Sequence, residues 1–432
     1  MVTDDVTIHV ADTVCPIAAR PFANGGVAVR AGTIIAVGDS ETLRRNFPDA
    51  EERRWTGVLT PGLVNAHTHL QYTSFASVGC TRHETYTAWS IAFVEEYEQR
   101  RNDDWLASAN AGVDQMLANG ITCIADIVTD YVARDVLVDR GVPGIAYLEL
   151  IGTDADSWRQ TEAARLRRAI TEAPTTQATS IGISPHAPYS LDEPVLEGMA
   201  ALARALGVRL HVHVAESDGE DEYYRSGTGS LADRLRVVSS RPLGILERGG
   251  AGMTAAELVE HLGLTGPDCH IAHGVYLGRE GRAIMARTGT VVALCPRSNL
   301  VVGIDPPPVA DFLREGVPFA VGTDSLGSTP SLDLLEDVAL LRSLAVEHGY
   351  DADDLDHRLL AAATMGGAGA LGLDEQLGSL VPGKRADLAV FDVDPSVDLV
   401  ERSLVEHGAG SCVATIVGGE IVSESGRTGS GS

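Results

Sequence analysis

No stretch of this chain is long and apolar enough to span a bilayer. The first residues, Met1-Val2-Thr3-Asp4-Asp5, contain neither a basic segment nor an apolar run, so no signal peptide is expected. The six cysteines (Cys15, Cys80, Cys123, Cys269, Cys295 and Cys412) are scattered and form no CxxC pair. That excludes a disulfide framework and fits reduced thiols in a cytoplasmic protein. Basic charge is scarce: 33 Lys and Arg stand against 60 Asp and Glu, a formal net charge of −27. This argues against binding a nucleic-acid backbone or an anionic membrane, and a solvated acidic surface accounts for it. No Gly-rich loop marks a phosphate site. What remains is a chain of 432 residues with an ordinary 44% of hydrophobic residues. It is long enough for one large barrel plus a smaller domain. The expected partner is a small-molecule substrate, with a homodimer left open.

The first sixty residues read as short strands, Val6 to Ala11, Val27 to Arg30 and Thr33 to Val37, punctuated by Gly25-Gly26 and Gly32. Near the other end, Ala386 to Asp392 and Val413 to Val422 alternate like strands, with Gly418-Gly419 as a hairpin turn. Neither end can bury a core alone, so the two are expected to pair. Between them, eight apolar strands alternate with helical stretches. The strands are 63–69, 122–127, 144–150, 180–186, 209–214, 270–275, 291–295 and 318–323; the helices include 104–118, 194–206 and 310–315. That alternation predicts an α/β fold, a parallel sheet closed as a (β/α)8 barrel, with a doubly wound open sheet as the alternative. The expected division is 1–60 and 376–432 for a β domain built from both chain ends, and 61–375 for the barrel. The Gly/Ser-rich tail from Ser423 to Ser432 is expected to lack regular structure.

The chemistry collects where these strands end. Pro61-Gly62-Leu63-Val64-Asn65-Ala66-His67-Thr68-His69 is a turn, a buried strand and two histidines at i and i+2. Such residues share one face of a strand and can point at one ion. His186 ends the fourth strand, His213 the fifth with Glu216 just beyond, His273 lies in the sixth, and Asp324 ends the eighth. In a parallel barrel that rim holds the active site. His67, His69, His213 and Asp324 offer three imidazoles and a carboxylate, a donor set for one divalent transition ion. Zinc is the first expectation, with Fe(II) or Mn(II) left open. Glu216 is suited to general acid/base work and His273 to polarising water or a developing oxyanion. His211 shares a face with His213 but lies about 7 Å deeper, which assigns it to packing or support.

Together with Ser184-Pro185-His186-Ala187-Pro188-Tyr189, His213-Val214-Ala215-Glu216, His273-Gly274-Val275, Cys295-Pro296-Arg297-Ser298-Asn299, Gly322-Thr323-Asp324-Ser325 and the segment from Leu377 to Leu388, these motifs resemble the amidohydrolase superfamily, in its aminohydrolase (deaminase) branch. The resemblance implies a distorted metal-binding barrel with a small β-sandwich domain made from both ends. It implies metal ligands at His67, His69, His213 and Asp324, Glu216 as proton shuttle, His273 as catalytic partner and His186 as substrate contact. Many binuclear relatives bridge two metals through a carbamylated barrel lysine. Lys384 is the only lysine here and lies outside the barrel, so a mononuclear centre is expected.

Within that branch, the Cys295–Asn299 and Gly322–Ser325 wording, and Glu220, Tyr224 and Gly227-Thr228-Gly229, are more similar to aminodeoxyfutalosine deaminases than to methylthioadenosine/S-adenosylhomocysteine deaminases. The expected substrate is aminodeoxyfutalosine, an intermediate of menaquinone synthesis. The alternatives are other adenosine derivatives or another planar nitrogen heterocycle. Gln71, Trp89, Arg297 and Ser325 join His186 and Glu216 as expected substrate contacts, and Asp324 joins Glu216 and His273 as catalytic. Two departures stand out. Ala88-Trp89 occupies the place of a Glu-Trp pair that holds ribose hydroxyls in nucleoside-acting relatives, and Gln71 stands where the futalosine enzymes tend to have Glu. Glu84, Glu95 and Glu96 are the nearest substitutes in sequence, and Trp89 and Tyr72 are placed to stack on a flat ring.

Overall fold

The computed structural model describes residues 5–239 and 243–425. Its strands form two sheets. The eight-stranded sheet contains β5 (Leu63–Thr68), β6 (Ile121–Val128), β7 (Gly144–Leu150), β8 (Thr179–Pro185), β9 (Leu210–Val214), β10 (Cys269–His273), β11 (Val291–Leu294) and β12 (Phe319–Val321), preceded in the chain by β1 to β4. Neighbours in sequence are neighbours in the sheet, and every pairing is parallel. This is the (β/α)8 barrel and not the open doubly wound sheet. All eight expected strands are present. The expected helices are present too, at Trp105–Ala118, Glu193–Leu206 and Val309–Glu315.

The seam between β12 and β5 explains why the apolar run of β5 is broken by a buried asparagine. Asn65 Nδ2 donates to Thr323 Oγ1 (2.7 Å), and Asn65 Oδ1 accepts from the backbone N–H groups of Thr323 and His67. One residue further on, the Asp324 N–H donates to the His67 carbonyl (3.0 Å) and Thr68 Oγ1 donates to the Asp324 carbonyl (2.9 Å). These bonds satisfy buried polar groups where the short β12 ends. They also place His67 beside Asp324.

The second sheet is mixed and uses both chain ends, in the order β15-β14-β13-β4-β1-β2-β3. Its strands are β1 (Val6–Val14), β2 (Phe22–Arg30), β3 (Thr33–Asp39), β4 (Glu51–Pro61), β13 (Leu388–Phe391), β14 (Cys412–Val417) and β15 (Glu420–Glu424). Strand β4 is the join. It runs parallel to β1, antiparallel to β13, and leads through Gly62 straight into β5. Its charged first half, Glu51-Glu52-Arg53-Arg54, is exposed and hides the strand from an apolar pattern, whereas Val58 and Leu59 are fully buried.

Gly25 and Gly26 do not punctuate. They lie inside β2, opposite Ala11 and Val10. A Cβ on Gly25 would sit 2.3 Å from the Phe22 ring, and one on Gly26 would sit 2.9 Å from the His9 carbonyl oxygen, so close approach requires glycine at both. At the β14–β15 turn Gly418 and Gly419 both have positive φ (57° and 84°), as a two-residue hairpin loop demands. Strand β15 includes Ser423 and Glu424, so the structured chain runs further than the Gly/Ser composition indicates. The rest of that tail, from Gly426, lies outside the described residues. No helix among the described residues is long and apolar enough to cross a membrane.

Candidate metal centre and active site

His67 is in β5 and His69 follows it, His213 is in β9, and Asp324 comes three residues after β12. The structure brings them together. One nitrogen each of His67, His69 and His213 lie within 4.8 Å of one another, and so do donor atoms of His67, His273 and Asp324. His67 Nε2 and His69 Nε2 stand 3.4 and 3.6 Å from Asp324 Oδ1. His67, His213 and Asp324 are buried and the His69 side chain is 11% exposed; His67 Nε2 has no hydrogen-bond partner among the described residues. Ring nitrogens around one carboxylate oxygen, one of them orphaned in the interior, fit a bound cation.

The groups behind these residues set which atoms face the site. His67 Nδ1 lies 2.9 Å from His211 Nε2, leaving His67 Nε2 for the ion. His213 Nδ1 lies 2.7 Å from the His186 carbonyl oxygen, leaving its Nε2. Asp324 Oδ2 accepts from Ser298 Oγ and Ser328 Oγ, both at 2.7 Å, so Oδ1 faces inward. Burial, reinforced by its histidine neighbours, holds His213 neutral, well below the ordinary imidazole range. Burial also takes His69 down to about 3, although the Asp324 charge opposes it. Burial alone would raise the Asp324 carboxyl; the neighbouring imidazoles of His67, His69 and His273 outweigh it and hold the group well below the usual range, as a carboxylate. His69, His213 and Asp324 are therefore in their ligating states.

His211, the deeper histidine of β9, supports the centre from below, as its depth predicts. Its ring also packs against His270, with centroids 3.8 Å apart. Outer partners of this kind commonly contribute 10–100-fold to metal affinity. His211→Phe is expected to weaken metal binding by about that factor while the fold persists, measured by competition with a chromophoric chelator. Unchanged affinity would reduce His211 to packing.

Glu216 and His273 form the second half of the site. Three backbone N–H groups, those of Ala215, Glu216 and Ser217, donate to the buried Glu220 carboxyl at 2.8–3.0 Å. This clamp fixes the turn after β9 and aims Glu216 into the barrel mouth. Tyr86 Oη donates to Glu216 Oε2 (3.1 Å), and His273 Nε2 lies 3.6 Å from Glu216 Oε1. Burial, with the nearby Asp324 and Glu220 charges, pushes the Glu216 carboxyl well above the usual range. His273 is taken down to about 3 by burial. Asn299 Nδ2 is 3.3 Å from His273 Nδ1, and donation there leaves the proton on Nε2. Ala215, His273 and Asp324 have φ of 53°, 72° and 60°. A left-handed backbone costs a non-glycine residue about 1–2 kcal/mol, and three such residues lie where side chains must turn into the site.

Above these groups opens a cavity of about 340 Å³. Tyr72, Tyr86, Trp89, Phe93 and Tyr189 supply aromatic walls, while His69, His186, His213, Glu216, His273, Asp324 and Ser325 reach it from the floor and sides. Trp89 is held by donation from Nε1 to the Gly327 carbonyl (2.8 Å). A larger open cleft, between Thr33, Gln376, Arg385 and Gly418 in the β domain, contains none of these groups.

Two expected contacts are not among the cavity walls. Arg297 is turned away into a buried network, where it pairs with Asp337 (2.7 Å) and Glu336 and donates to the Ser331 and Asp333 carbonyls. Its motif is a structural brace. Gln71 is buried, and its Oε1 accepts from the Thr129 and Asp130 N–H groups (3.1 and 3.0 Å). Glu84, Glu95 and Glu96 do not line the cavity either; Glu96 pairs with Arg100. Conversely, Tyr86, Glu149 and Arg234, which no motif marks, line it, as does Tyr189, the last residue of the His186 motif. Glu149 did carry a signal: it is a charge near the end of the otherwise apolar β7, the pattern that marks His186 on β8. Tyr86 and Arg234 lie on helices and carry none.

Known proteins agree with this geometry. The amidohydrolase family model matches residues 58–422, and a bacterial imidazolonepropionase-like composite domain matches residues 25–50. A 5-methylthioadenosine/S-adenosylhomocysteine deaminase of Symbiobacterium thermophilum is 31% identical over 93% of this chain and 89% of its own length. An aminodeoxyfutalosine deaminase of Deinococcus radiodurans is 30% identical over 81% of each. The crystal structure of an adenosine deaminase from Xanthomonas campestris with bound zinc superposes with a TM-score of 0.78 at 25% identity, covering 96% of this chain and 92% of that one. The chain belongs to the amidohydrolase family.

Proposed function

We propose that this protein is a metal-dependent hydrolytic deaminase of an amino-substituted purine nucleoside, with aminodeoxyfutalosine as the first candidate substrate. The observation that carries this reading is Glu216: a buried carboxyl between Tyr86 and His273, pushed toward its protonated form by burial and the Asp324 and Glu220 charges, beside the four candidate ligands and in the wall of an aromatic cavity. A deaminase needs a proton for a ring nitrogen, a base for water and a flat apolar slot, and these residues supply all three.

A divalent ion held by His67, His69, His213 and Asp324 would supply Lewis acidity and lower the pKa of water toward neutrality. The residues do the rest. Asp324 accepts a proton from the attacking water as its oxygen bonds to the amino-bearing carbon. Glu216 gives its proton to the adjacent ring nitrogen, which makes that carbon electrophilic. His273 Nε2–H steadies the oxygen of the tetrahedral intermediate. Asp324 then returns its proton to the amine, the C–N bond breaks and ammonia leaves. The remaining hydroxyl proton passes to Glu216 as the carbonyl forms, restoring the starting state. Screening aminodeoxyfutalosine, S-adenosylhomocysteine, methylthioadenosine, adenosine and free bases for ammonia release tests the reading. Silence on every amino-purine, or turnover of a triazine alone, would overturn it.

Arg234 refines the substrate. It is the one cationic side chain among the cavity's described walls, where it bonds Ser90 Oγ and has no carboxylate within ion-pair distance among the described residues. An anionic group at the far end of the substrate would answer it, which favours carboxylate-bearing adenosine derivatives over neutral ones. A charge-assisted bond is worth about 1.5–3 kcal/mol. Arg234→Gln is therefore expected to lower kcat/KM by about 10–100-fold on a carboxylate-bearing substrate and to leave adenosine nearly unchanged. Equal losses on both would remove Arg234 from recognition.

A further inference from the structure

Glu149 lies near the end of β7 on the wall of the same cavity, about 5% exposed. Its Oε2 accepts a 2.6 Å hydrogen bond from Thr129 Oγ1, which in turn accepts from Tyr72 Oη (3.2 Å). Its Oε1 is buried and has no partner among the described residues. Such an atom in a cavity wall calls for a donor from outside the chain. A carboxylate oxygen of Glu149 lies within 4.8 Å of one ring nitrogen of His186 and one of His213.

These three do not make a second cation site. His213 Nδ1 is engaged by the His186 carbonyl and its Nε2 belongs to the centre described above, so only two donor atoms remain, too few for a transition ion. His186 completes the picture. Ser190 Oγ donates to the Ala187 carbonyl (2.9 Å), so it accepts from His186 Nδ1 (3.0 Å). The His186 proton therefore sits on Nδ1, and Nε2 is left as an acceptor toward the cavity. Two acceptors on neighbouring side chains, Glu149 Oε1 and His186 Nε2, take no hydrogen bond from any described residue.

We infer that Glu149, together with His186, binds a vicinal diol of the substrate, each acceptor taking one hydroxyl proton, and that Glu149 determines specificity for a ribose over a deoxyribose. This rests on the nucleoside-deaminase reading and deepens it. No carboxylate from the helix after β5 lines the cavity, since Ala88 precedes Trp89 there and Glu84, Glu95 and Glu96 are elsewhere. Glu149 is the acid that reaches a sugar from β7 instead.

The test is a matrix of the metal-loaded wild-type enzyme and Glu149→Gln against adenosine, 2′-deoxyadenosine and 3′-deoxyadenosine. In the variant the amide oxygen is drawn to Thr129 Oγ1–H, so an N–H donor replaces the acceptor facing the cavity. Wild type is expected to lose about 10–100-fold in kcat/KM on at least one deoxy analogue, mainly through KM. Glu149→Gln should show a like loss on adenosine and little further loss on that analogue, with metal content unchanged. A variant that loses the same factor on all three would make Glu149 merely structural and overturn the inference. Should the variant not fold, the wild-type series decides. Equal rates on all three nucleosides overturn the diol contact while leaving the deaminase reading intact; no deamination of any purine overturns both.

Discussion

Glu216→Gln is expected to retain its metal, bind substrate and lose turnover by at least about 10²–10⁴-fold, the contribution typical of general acid–base catalysis. The change keeps the shape of the side chain. Its amide oxygen can still accept from Tyr86 Oη, so the turn held by Glu220 has no reason to move. What is lost is the proton for the ring nitrogen. The loss should fall in kcat, because the transfer belongs to the transition state and not to the bound substrate. The wild-type pH profile should carry the same signature. The Glu216 carboxyl is raised well above its ordinary value by burial and by the Asp324 and Glu220 charges. The acid form is then the active one, and activity should decline as pH rises through that raised pKa. Single-turnover kinetics with metal analysis separates the outcomes. Near-normal turnover would sink the mechanism; a variant without metal would show that Glu216 is a ligand.

Much of this arrangement was legible in the chain because barrel chemistry sits at strand ends, and strand ends are visible as an apolar run stopping at a polar residue. His67, His186, His213 and Asp324 all follow that rule, and the structure gathers them on one rim. Glu149 follows it as well. Cavity walls from outside the strands were not legible. Tyr86 and Arg234 lie on helix-forming stretches whose composition is ordinary, and only tertiary packing brings them over the rim. Motif wording misled in the opposite direction at Arg297. Its place beside Ser298 pointed to the substrate, yet Ser298 reaches Asp324 while Arg297 turns away to Asp337 and Glu336. Adjacent residues at the start of a helix point in different directions, and nothing in the sequence tells which one faces inward. Strand β4 was hidden because its exposed half is charged, while its pairing with β1 and β13 depends on strands from opposite ends of the chain.

His213→Ala should release the metal and, with it, at least about 10³-fold of activity, since an ion that polarises the reacting groups supplies several kcal/mol of transition-state stabilisation. His213 is the ligand to remove because both its ring nitrogens have defined duties, Nδ1 toward the His186 carbonyl and Nε2 toward the centre, so truncation cannot be covered by a ring flip. The wild-type protein is expected to hold about one transition ion per chain. A bridged pair needs a shared anionic ligand, and the only lysine, Lys384, donates Nζ to the Asp374 and Leu377 carbonyls near the β domain. Of the other acids at the cavity, Glu216 Oε2 accepts from Tyr86 and Glu149 Oε2 from Thr129, and Glu149 with His186 offers too few donors for a second ion. Elemental analysis of the purified protein and of His213→Ala measures both expectations. Two tightly held ions per wild-type chain would overturn the mononuclear centre. A variant that kept its ion would mean that His67, His69 and Asp324 suffice, and His213 would then have to be reassigned to orienting the substrate.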